Sequence, residues 1–430
     1  MSRIKKICHY ITARAAYWFY GRPSRKLIVV GVTGTKGKST SCRLIASVLE
    51  AAGHKVGLLT TVEFQIAGRR WLNDKKMTML GRGQIQCMLK DMVKAGCRYA
   101  VVETSSQGIL QFRHIGIDYD VVVFTNLAPE HVEAHGGFEN LKKDKGKIFA
   151  ELMLRHKKVF DGKNVPKVIV ANADDPNAAY YLGFPADKKI TFGIRNPADV
   201  RGEVLGTGVF GSKFRAGGQE YELKIAGQFN IYNALAAVAV GQSQNVPEEK
   251  IKYGLKNVPV VEGRMEFIEA GQNFKVIVDY AHEPLSLTGL FNAMRKIAGP
   301  GGKSIAVIGS DGGGRDKGKR EKMGEVAATL CDYVIITDVN CFDEDPRQIA
   351  EMLAVGARKA GKKDGADLFI EIDRRKGIEK AFSLAGPGDA VAITAKGTEP
   401  CIVVGGNKKI PWDDRRVARE ILSSKSYEPR

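Results

Sequence analysis

One short glycine-rich segment, GVTGTKGKST at positions 31–40, constrains this chain more than any other part of it. It follows the apolar run 27–32 and opens a helical pattern over 39–52. Glycines let backbone N–H groups close around phosphate oxygens, and a helix N-terminus adds partial positive charge. The strict pattern G-x-x-x-x-G-K-[ST] needs glycine where Val32 stands, so this is the variant G-T-x-G-K-[ST]. The context predicts a phosphate loop for a nucleotide.

The residues of this phosphate loop have expected roles. Gly34 would make the tight turn, Lys38 would reach the β and γ phosphates of ATP, and the Ser39 hydroxyl would bind Mg²⁺. The predicted nucleotide-binding residues are Gly34, Thr35, Lys36, Gly37, Lys38, Ser39 and Thr40. A second stretch, 313–320, also fits G-x-x-x-x-G-K, but Arg320 replaces the metal-binding hydroxyl. We therefore reject it as a nucleotide loop and expect its charges to bind a carboxylate or phosphate.

Apolar, β-branched runs alternate with helical patterns along most of the chain. Such alternation predicts βαβ units and a mostly parallel sheet, the α/β class. The runs lie at 27–32, 99–103, 120–125, 165–171, 274–280, 304–309, 333–337 and 390–394. The glycine-rich stretch 191–225 predicts antiparallel hairpins flanking the sheet, and 230–242 predicts an alanine-rich helix.

A domain boundary is expected near 261–264, where a second α/β series begins. We predict a basic amphipathic helix at 1–26, a central ATP-binding P-loop domain at 27–261, and a C-terminal Rossmann-like α/β domain at 262–430. Nucleotide and substrates would bind in the cleft between the two α/β domains. The helix at 1–26 has two open interpretations: it packs on its own domain, which we favour, or it rests on a membrane surface.

Charge and cysteine content exclude several classes of protein. The net charge is +18, but the basic residues are spread along the chain without an aromatic-interleaved stretch, so no nucleic acid partner is expected. No apolar run is long enough to cross a bilayer, and the N-terminus lacks the features of a signal peptide. Seven scattered cysteines without a Cys-x-x-Cys pair suit a reducing cytoplasm. We expect a cytoplasmic monomer that acts on small molecules.

Two polar residues follow apolar runs at points where parallel strands would end. Glu103 lies in VETSSQG at 102–108, and His131 lies in TNLAPEHVEAHG at 125–136. Ligands of α/β sheets bind at the carboxyl ends of the strands. Taken alone, a glutamate such as Glu103 is a surface carboxylate as often as it is a metal ligand. A lone histidine such as His131 is more often a structural residue than a metal ligand. Beside a phosphate loop, both become candidate metal ligands.

Together these motifs resemble those of the Mur ligases, most closely the MurE type, from about Lys26 to the C-terminus. The resemblance implies an ATP-dependent ligase that adds an amino acid to a UDP-N-acetylmuramoyl-peptide in peptidoglycan synthesis. It implies that Lys38 and Ser39 hold ATP phosphates and Mg²⁺, and that Glu103 and His131 are metal ligands. Lys145 matches the family's carbamylated lysine. A lysine that has taken up CO₂ is an anion, so it can position a second Mg²⁺ where an ammonium would repel it.

The resemblance also assigns residues to ATP. Asn230 and Asn233, in GQFNIYNA at 227–234, match asparagines near the adenine. Arg264 matches an arginine that reaches ATP phosphate from the inter-domain linker. Asp279 matches the ribose-contacting aspartate of the motif Asp-Tyr-Ala-His.

The incoming amino acid is expected to meet the C-terminal domain. Arg315 matches an arginine that pairs with its carboxylate, and Glu399 is a candidate for gripping an amine. Residues 338–346 align with a segment that carries Asp-Asn-Pro-Arg in diaminopimelate-adding enzymes. Asn340 matches the Asn of that motif, but Cys341 and Phe342 replace its Pro and Arg. In those enzymes the arginine would pair with the distal carboxylate of diaminopimelate. Its loss disfavours diaminopimelate and leaves lysine, ornithine or another residue open.

The acceptor side departs from the family pattern. Only 26 residues precede the first predicted strand, where MurE-type enzymes carry a whole domain for the UDP group. Ser105, Ser106 and Arg113 still match peptide-side residues, and Thr78 stands in place of the family's Thr-Thr-Pro. Gln107 replaces the histidine after the serine pair. Ligase chemistry is therefore better supported than UDP recognition.

The expected chemistry joins a carboxylate to an amine. Metal ions and Lys38 would offset the repulsion between ATP and the carboxylate, which attacks the γ phosphate and forms an acyl phosphate. An amino acid held through Arg315 then attacks this acyl phosphate and expels phosphate. This chemistry needs no serine or cysteine nucleophile, and the sequence shows no triad signature.

Three alternative functions are compatible with these motifs. A related ligase, of the folylpolyglutamate-synthase-like or poly-γ-glutamate-forming kind, would use a carboxylate without UDP. A P-loop ATPase acting on nucleic acid is suggested by the charge of +18 and disfavoured by the lack of a basic–aromatic channel. A nucleotide-binding protein without catalytic activity is disfavoured because every expected metal ligand is present in the sequence.

Overall fold

The computed structural model of the chain describes residues 3–75, 77–129, 132–208, 211–258, 263–314 and 317–424. Two compact units divide the chain, one spanning 1–259 and the other 260–430. Both combine a mostly parallel sheet with helices, so the predicted α/β class is confirmed. Among the described residues, no helix is long and apolar enough to cross a membrane.

The first unit is built on one large sheet. Its strands are β1 Ile28–Thr33, β2 Val56–Leu59, β3 Glu63–Ile66, β4 Arg69–Leu72, β5 Tyr99–Glu103, β6 Val121–Phe124, β9 Val168–Asn172, β10 Lys188–Gly193, β11 Val200–Gly208, β12 Gly211–Ala216 and β13 Gln219–Leu223, while β7 Val159–Phe160 and β8 Lys163–Asn164 pair separately. Across the sheet the order is β13-β12-β11-β10-β9-β6-β1-β5-β2-β3-β4. Strands β9, β6, β1, β5 and β2 are parallel and fully buried, as expected where helices cover both faces.

Antiparallel strands extend both edges of this sheet. At one edge β3 pairs with β2 and with β4, and at the other β12 pairs with β11 and with β13. The sequence predicts antiparallel hairpins over 191–225 that flank the sheet, and the structure places antiparallel strands there at the edge of the sheet. Strands β11 to β13 do form antiparallel pairs, but β11 also pairs in parallel with β10, so they continue the same sheet.

Helices cover the large sheet. They are α1 Arg3–Phe19, α2 Lys38–Ala51, α3 Arg82–Lys94, α4 Ser106–Leu110, α5 Val132–His135, α6 Phe138–Ala150, α7 Ala178–Leu182, α8 Gln228–Ser243 and α9 Glu248–Lys256. Helix α2 packs against α8 and α9. Gly254 of α9 comes so near that a Cβ there would lie 2.6 Å from Val48 Cα. This close packing fixes the helix that follows the phosphate loop.

Helix α1 packs on its own unit through one face, the arrangement favoured from the sequence. Ala13 and Tyr17 are buried, and the helix lies against α3. The Tyr17 hydroxyl donates a 2.7 Å hydrogen bond to Asp118 Oδ2. A Cβ on Gly116 would lie only 2.7 Å from Tyr17 Cβ, so the helix sits directly on the backbone of this turn.

The second unit has a smaller sheet of the order β14-β15-β19-β16-β17-β18, in which only the β14–β15 pair is antiparallel. Its strands are β14 Glu266–Ile268, β15 Lys275–Val278, β16 Ser304–Ile308, β17 Tyr333–Ile336, β18 Leu368–Ile370 and β19 Ala390–Ile393, with a separate hairpin of β20 Cys401–Val404 and β21 Lys408–Pro411. Its helices are α10 Pro284–Ile297, α11 Gly318–Leu330, α12 Pro346–Lys359, α13 Arg374–Leu384 and α14 Asp414–Ser424.

Candidate active site

The phosphate loop turns sharply between β1 and α2, and two of its glycines leave no room for a side chain. Gly34 has a φ of +153°, and a Cβ there would lie 2.0 Å from Thr125 Oγ1. Gly37 caps α2 with a φ of +81°, and its Cβ would lie 2.2 Å from Asn233 Oδ1. Backbone N–H groups at this helix start can therefore approach an anion closely.

The segment after β6 holds the phosphate loop in shape. The Asn126 side chain accepts a 2.8 Å hydrogen bond from the Lys36 N–H and donates one of 3.0 Å to the Lys36 carbonyl. The Thr35 N–H donates to the Asn126 carbonyl at 2.8 Å, and Thr125 Oγ1 donates to the Lys36 carbonyl at 2.8 Å. Sequence reasoning missed Thr125 and Asn126, although Thr125 ends the predicted strand at 120–125 and Asn126 directly follows it.

Glu103 lies at the carboxyl end of β5, beside β1 in the sheet. Its carboxylate is buried, and its Oε2 accepts hydrogen bonds from Ser39 Oγ at 2.7 Å and from the Thr61 N–H at 2.8 Å. Thr61 Oγ1 in turn donates to Thr78 Oγ1 at 2.9 Å. The structure thus brings together Ser39, Glu103 and Thr78, which the sequence singled out, and adds Thr61.

Lys145 reaches the phosphate loop from α6. Its side chain is buried, and Nζ donates a 2.8 Å hydrogen bond to the Gly34 carbonyl. Lys38 Nζ donates to the Thr35 carbonyl at 2.9 Å, so it lies over the same loop. Two lysine side chains therefore converge on one short segment of backbone.

The structure describes three of the four candidate metal ligands, Ser39, Glu103 and Lys145. His131 lies outside the described residues, and the described residues form no group of three or more His, Cys, Asp or Glu side chains that could hold a metal. The Ser39 hydroxyl and the Glu103 carboxylate nevertheless supply two adjacent oxygens at the phosphate loop. Oxygen donors of this kind are the ligands that Mg²⁺ prefers, so these two residues fit that ion.

Ser106, His135 and Asp144 form a hydrogen-bonded chain that the sequence did not reveal. His135 Nδ1 lies 2.6 Å from Asp144 Oδ2, and His135 Nε2 lies 3.2 Å from Ser106 Oγ. Burial alone would raise the pKa of Asp144, but hydrogen bonds from His135 and Lys147 and the Lys147 charge hold it below its ordinary value. The arrangement orients the Ser106 hydroxyl through a fixed imidazole.

The other residues expected on the peptide side lie near this chain. Ser105 caps α4, its Oγ accepting a 3.1 Å hydrogen bond from the Gly108 N–H. Arg113 donates to the Met79 carbonyl, next to Thr78, and to Gln111 Oε1 at 2.6 Å. Burial lowers the pKa of Arg113, which stays a cation. The Arg113 cation and the hydroxyls of Ser105 and Ser106 thus follow the carboxyl end of β5.

Asn230 and Asn233 are buried at the start of α8 and linked to the phosphate loop. Asn233 Nδ2 donates to Asn230 Oδ1 at 2.9 Å, and Asn233 Oδ1 accepts from Ser41 Oγ at 3.1 Å. Asn230 Nδ2 donates to the Ala226 carbonyl at 2.7 Å. The pair thus ties the α8 start to α2.

In the second unit, the two residues predicted to meet ATP lie close together. Asp279 accepts 2.7 Å hydrogen bonds from the Met265 and Ala281 N–H groups. The Arg264 guanidinium lies 4.7 Å from the centre of the Tyr280 ring, a cation–π contact. The segment Asp-Tyr-Ala-His therefore anchors the chain around Arg264.

The residues predicted to meet the amino acid form a polar network around a buried lysine. Asn340 Nδ2 donates to Asp311 Oδ1 at 2.8 Å and to Glu399 Oε2 at 3.0 Å. Lys396 Nζ donates to the same Glu399 oxygen at 2.9 Å. Burial lowers the pKa of Lys396, and the Glu399 charge opposes that shift. Sequence reasoning missed Lys396 and Asp311 as members of the network.

The stretch 313–320 proves to be largely structural where it is described. Arg320 is buried and binds Glu344 Oε2 at 3.1 Å and the Asp311 carbonyl at 2.9 Å. Lys319 pairs with Glu283. These two cations neutralise carboxylates of the chain itself, so any binding of a ligand carboxylate or phosphate by this stretch is expected from Arg315. Arg315 lies outside the described residues.

Comparison with known proteins decides the family. Residues 32–241 match the Mur ligase middle domain, and residues 263–397 match the Mur ligase glutamate ligase domain. The chain is 39% identical over 417 residues to the UDP-N-acetylmuramyl-tripeptide synthetase of Roseiflexus sp. (strain RS-1), covering 95% of this chain and 81% of that protein. The chain belongs to the Mur ligase family. Mur ligases are ATP-dependent enzymes that form amide bonds, so the expected enzyme class is confirmed.

Other relatives agree with the MurE type. The UDP-N-acetylmuramoyl-L-alanyl-D-glutamate–2,6-diaminopimelate ligase of Geobacillus kaustophilus is 36% identical, with 95% of this chain and 81% of that protein covered. A solved ligase of the same description matches with 28% identity and a TM-score of 0.61, covering 93% of this chain and 78% of that one. A folylpolyglutamate synthase of Mycobacterium tuberculosis has a TM-score of 0.68, covering 91% of this chain and 96% of that one, but its 17% identity shows the fold alone.

Proposed function

We propose that this Mur ligase adds an amino acid to a UDP-N-acetylmuramoyl-peptide in peptidoglycan precursor synthesis. The observation that carries the proposal is the phosphate loop with Ser39 Oγ bound to Glu103 Oε2 at 2.7 Å and Lys145 Nζ bound to the Gly34 carbonyl at 2.8 Å. A hydroxyl, a carboxylate and a lysine thus meet where ATP phosphates would bind.

The nucleotide would bind through both units. In the first, residues 34–40 would surround the phosphates and Asn230 and Asn233 would lie near the adenine. In the second, Arg264 would reach a phosphate and Asp279 the ribose. Lys38 would offset negative charge that builds up between the β and γ phosphates. The domains of the proposed enzyme are the α1 segment 1–26, the ATP-binding region 27–261 and the C-terminal region 262–430.

Mg²⁺ ions would be held by Ser39, Glu103, His131 and a carbamylated Lys145. When bound, they would supply positive charge between two anions, ATP and the acceptor carboxylate. As an ammonium, Lys145 donates to the Gly34 carbonyl, but a carbamate formed with CO₂ would carry a negative charge in the same place. This change of sign would turn Lys145 from a loop contact into a partner for a cation.

The acceptor would bind on the first unit through Thr78, Ser105, Ser106 and Arg113. Its carboxylate oxygen attacks the γ-phosphorus of ATP, the bond to ADP breaks, and an acyl phosphate forms. The amino acid, held by Arg315, Asn340 and Glu399, then attacks the acyl carbon through its neutral amine. Phosphate leaves and the amine loses a proton, which completes the amide bond.

The amino acid added is proposed to be other than diaminopimelate. Phe342 stands where those enzymes have arginine, and its ring packs over Gly313, whose Cβ would lie 2.9 Å from Phe342 Cδ2. A phenyl ring cannot pair with a distal carboxylate. Lysine and ornithine carry an amine at that end, which suits a site whose polar network includes the carboxylates Asp311 and Glu399.

The test is phosphate release by the purified chain with Mg-ATP, bicarbonate and UDP-MurNAc-L-Ala-D-Glu, against a panel of amino acids. We expect release and an amide product with one amino acid, and loss of both in Lys145→Ala. Lys143→Ala is the matched control, because Lys143 lies on the same helix but is exposed. Its activity should equal that of the unchanged chain.

Two results would contradict the proposal. If every amino acid is inert with the UDP-linked acceptor while another carboxylate supports amide formation, the ligase chemistry stands and the acceptor assignment is wrong. If Lys145→Ala keeps full activity, the carbamate assignment is wrong. We further propose that the enzyme is a monomer acting on small molecules without nucleic acid, which light scattering and unchanged turnover with added polynucleotide would test.

A further inference from the structure

Helix α1 carries a second apolar face, opposite the one that packs on its own unit. Ile4, Ile7, Ile11 and Trp18 are 75%, 53%, 57% and 56% exposed. At 3.6 residues per turn, these four side chains fall within a sector roughly 60° wide, and the buried Ala13 and Tyr17 lie on the far side. We call these four residues the exposed stripe. Isolated exposed apolar residues are ordinary, but four large ones on one side of a single helix are typical of a binding surface.

The charges within residues 1–26, the segment that carries the exposed stripe, are all of one sign. Residues 1–26 contain seven Lys or Arg and no Asp or Glu, and the first acidic residue of the chain is Glu50. The Arg22 guanidinium lies 4.6 Å from the centre of the Trp18 ring. An apolar stripe on a segment that contains cations and no acidic residue fits a partner that is apolar inside and anionic at its surface.

We propose that the exposed stripe docks helix α1 on an anionic lipid surface, with the helix lying in the plane of the interface. The helix spans 17 residues, about 25 Å at 1.5 Å per residue, which suits a helix lying flat. Trp18 and Phe19, the latter 81% exposed, are aromatic residues of the kind enriched at lipid headgroups. A second copy of the chain is disfavoured, because it would bring two all-cationic segments face to face.

Flotation of the full chain with lipid vesicles tests this proposal. We expect binding to phosphatidylcholine vesicles that contain about 30% phosphatidylglycerol, and at least about tenfold weaker binding to phosphatidylcholine alone. Raising the salt from about 0.1 M to about 1 M should weaken binding to the anionic vesicles, because the Debye length falls from about 10 Å to about 3 Å.

The double change Ile7→Glu with Ile11→Glu should lower vesicle binding at least about tenfold, because it places two charges in the apolar stripe. Leu154→Glu is the matched control, since Leu154 is 83% exposed elsewhere on the same unit and should keep full binding. Both variants should turn over ATP with acceptor and amino acid as the unchanged chain does. That result would show that the double variant is folded, independently of which acceptor the enzyme uses.

Three results would overturn the lipid assignment. They are failure of the chain to bind anionic vesicles, equal binding to neutral and anionic vesicles, and full binding by the double variant. Light scattering adds a separate outcome. A dimer that the double change returns to monomer would assign the exposed stripe to a second copy of the chain.

Discussion

At the residue scale, His135 is informative because its surroundings suggest a role that its position in the sequence does not. Both ring nitrogens have partners, Asp144 on one side and Ser106 on the other, and the side chain is fully buried. The imidazole therefore fixes the direction in which the Ser106 hydroxyl can point. If Ser106 contacts the acceptor, His135 acts on binding of that substrate alone.

We expect His135→Gln to raise the KM for the acceptor about tenfold and to leave the KM for ATP within about twofold. Glutamine is polar and of similar size, but it cannot bridge Asp144 and Ser106 as the ring does. Steady-state kinetics with each substrate varied in turn would measure both values. His156→Gln, at an exposed histidine, is the control. An equal rise in both KM values would indicate a general structural defect instead.

Asp174 is a second residue whose hydrogen-bond partners determine a property of its side chain, here the pKa. Although burial would raise its pKa, hydrogen bonds from the N–H groups of Arg195, Asn196 and Ile194 and from the Tyr232 hydroxyl lower that pKa to about 2. The folded-state pKa is thus below the ordinary value of 3.8. Ionised Asp174 therefore contributes stability above about pH 4, and this contribution is lost as the pH falls towards 2.

We expect Asp174→Asn to lower the free energy of unfolding at pH 7 by about 1–2 kcal/mol. The difference between the variant and the unchanged chain should shrink as the pH falls from about 4 to about 2. Urea unfolding at several pH values would measure it. A difference that stays constant over this range would show that the charge of the carboxylate does not cause the stabilisation.

The sequence predicted residues whose role follows from local chemistry and missed those whose role follows from a distant partner. Ser39 and Lys38 are recognisable within the phosphate loop itself. Asn126 acts on Lys36 across 90 positions of sequence, so only the pairing of β6 with β1 reveals it. Lys145 was found through the family resemblance, because by composition it is one lysine among several on α6.

At the scale of elements, α11 and α12 show how backbone contact can replace side-chain packing. A Cβ on Gly324 would lie 1.8 Å from the Leu353 carbonyl oxygen, and a Cβ on Gly356 would lie 1.8 Å from the Glu321 carbonyl oxygen. Each helix thus contacts backbone carbonyl groups of the other through a glycine. A methyl group at either glycine must push the helices apart.

We expect Gly356→Ala to lower the free energy of unfolding by about 1–3 kcal/mol, because the added methyl group overpacks this contact. Gly289→Ala is the matched control within α10, where a Cβ would meet nothing within 4 Å. This control should raise stability by about 0.5–1 kcal/mol through helix propensity. Calorimetry of both variants would measure the difference, and two changes of the same sign would contradict this account.

Elements were predicted best where the chain is buried on both faces. The apolar run 99–103 coincides with β5, and the helix expected at 230–242 lies within α8. The hairpins of 191–225 were predicted beside the sheet, but alternating polar and apolar residues indicate half-burial and not which strand is the neighbour. The pairing of β11 with β10 involves only two residue pairs, so the sequence gives little sign of it.

At the scale of the whole molecule, the net charge of +18 acts on substrates before they bind. ATP and a UDP-linked acceptor are both strongly anionic, so a cationic protein raises their rate of encounter. We expect kcat/KM for the acceptor to fall about fivefold or more between about 0.02 M and about 0.3 M salt, while kcat changes less than about twofold. Initial rates across this series would measure both. A parallel fall in kcat would show that salt acts on the chemistry itself.

The contacts of Asn126 with both backbone groups of Lys36 have a consequence for how ATP arrives. A loop whose peptide units are already fixed has little freedom to lose, so the entropy cost of ordering it is met during folding. Binding should then proceed in one bimolecular step, with an observed rate that rises linearly with ATP concentration. A protein that ordered the loop around its ligand would instead show a rate that saturates.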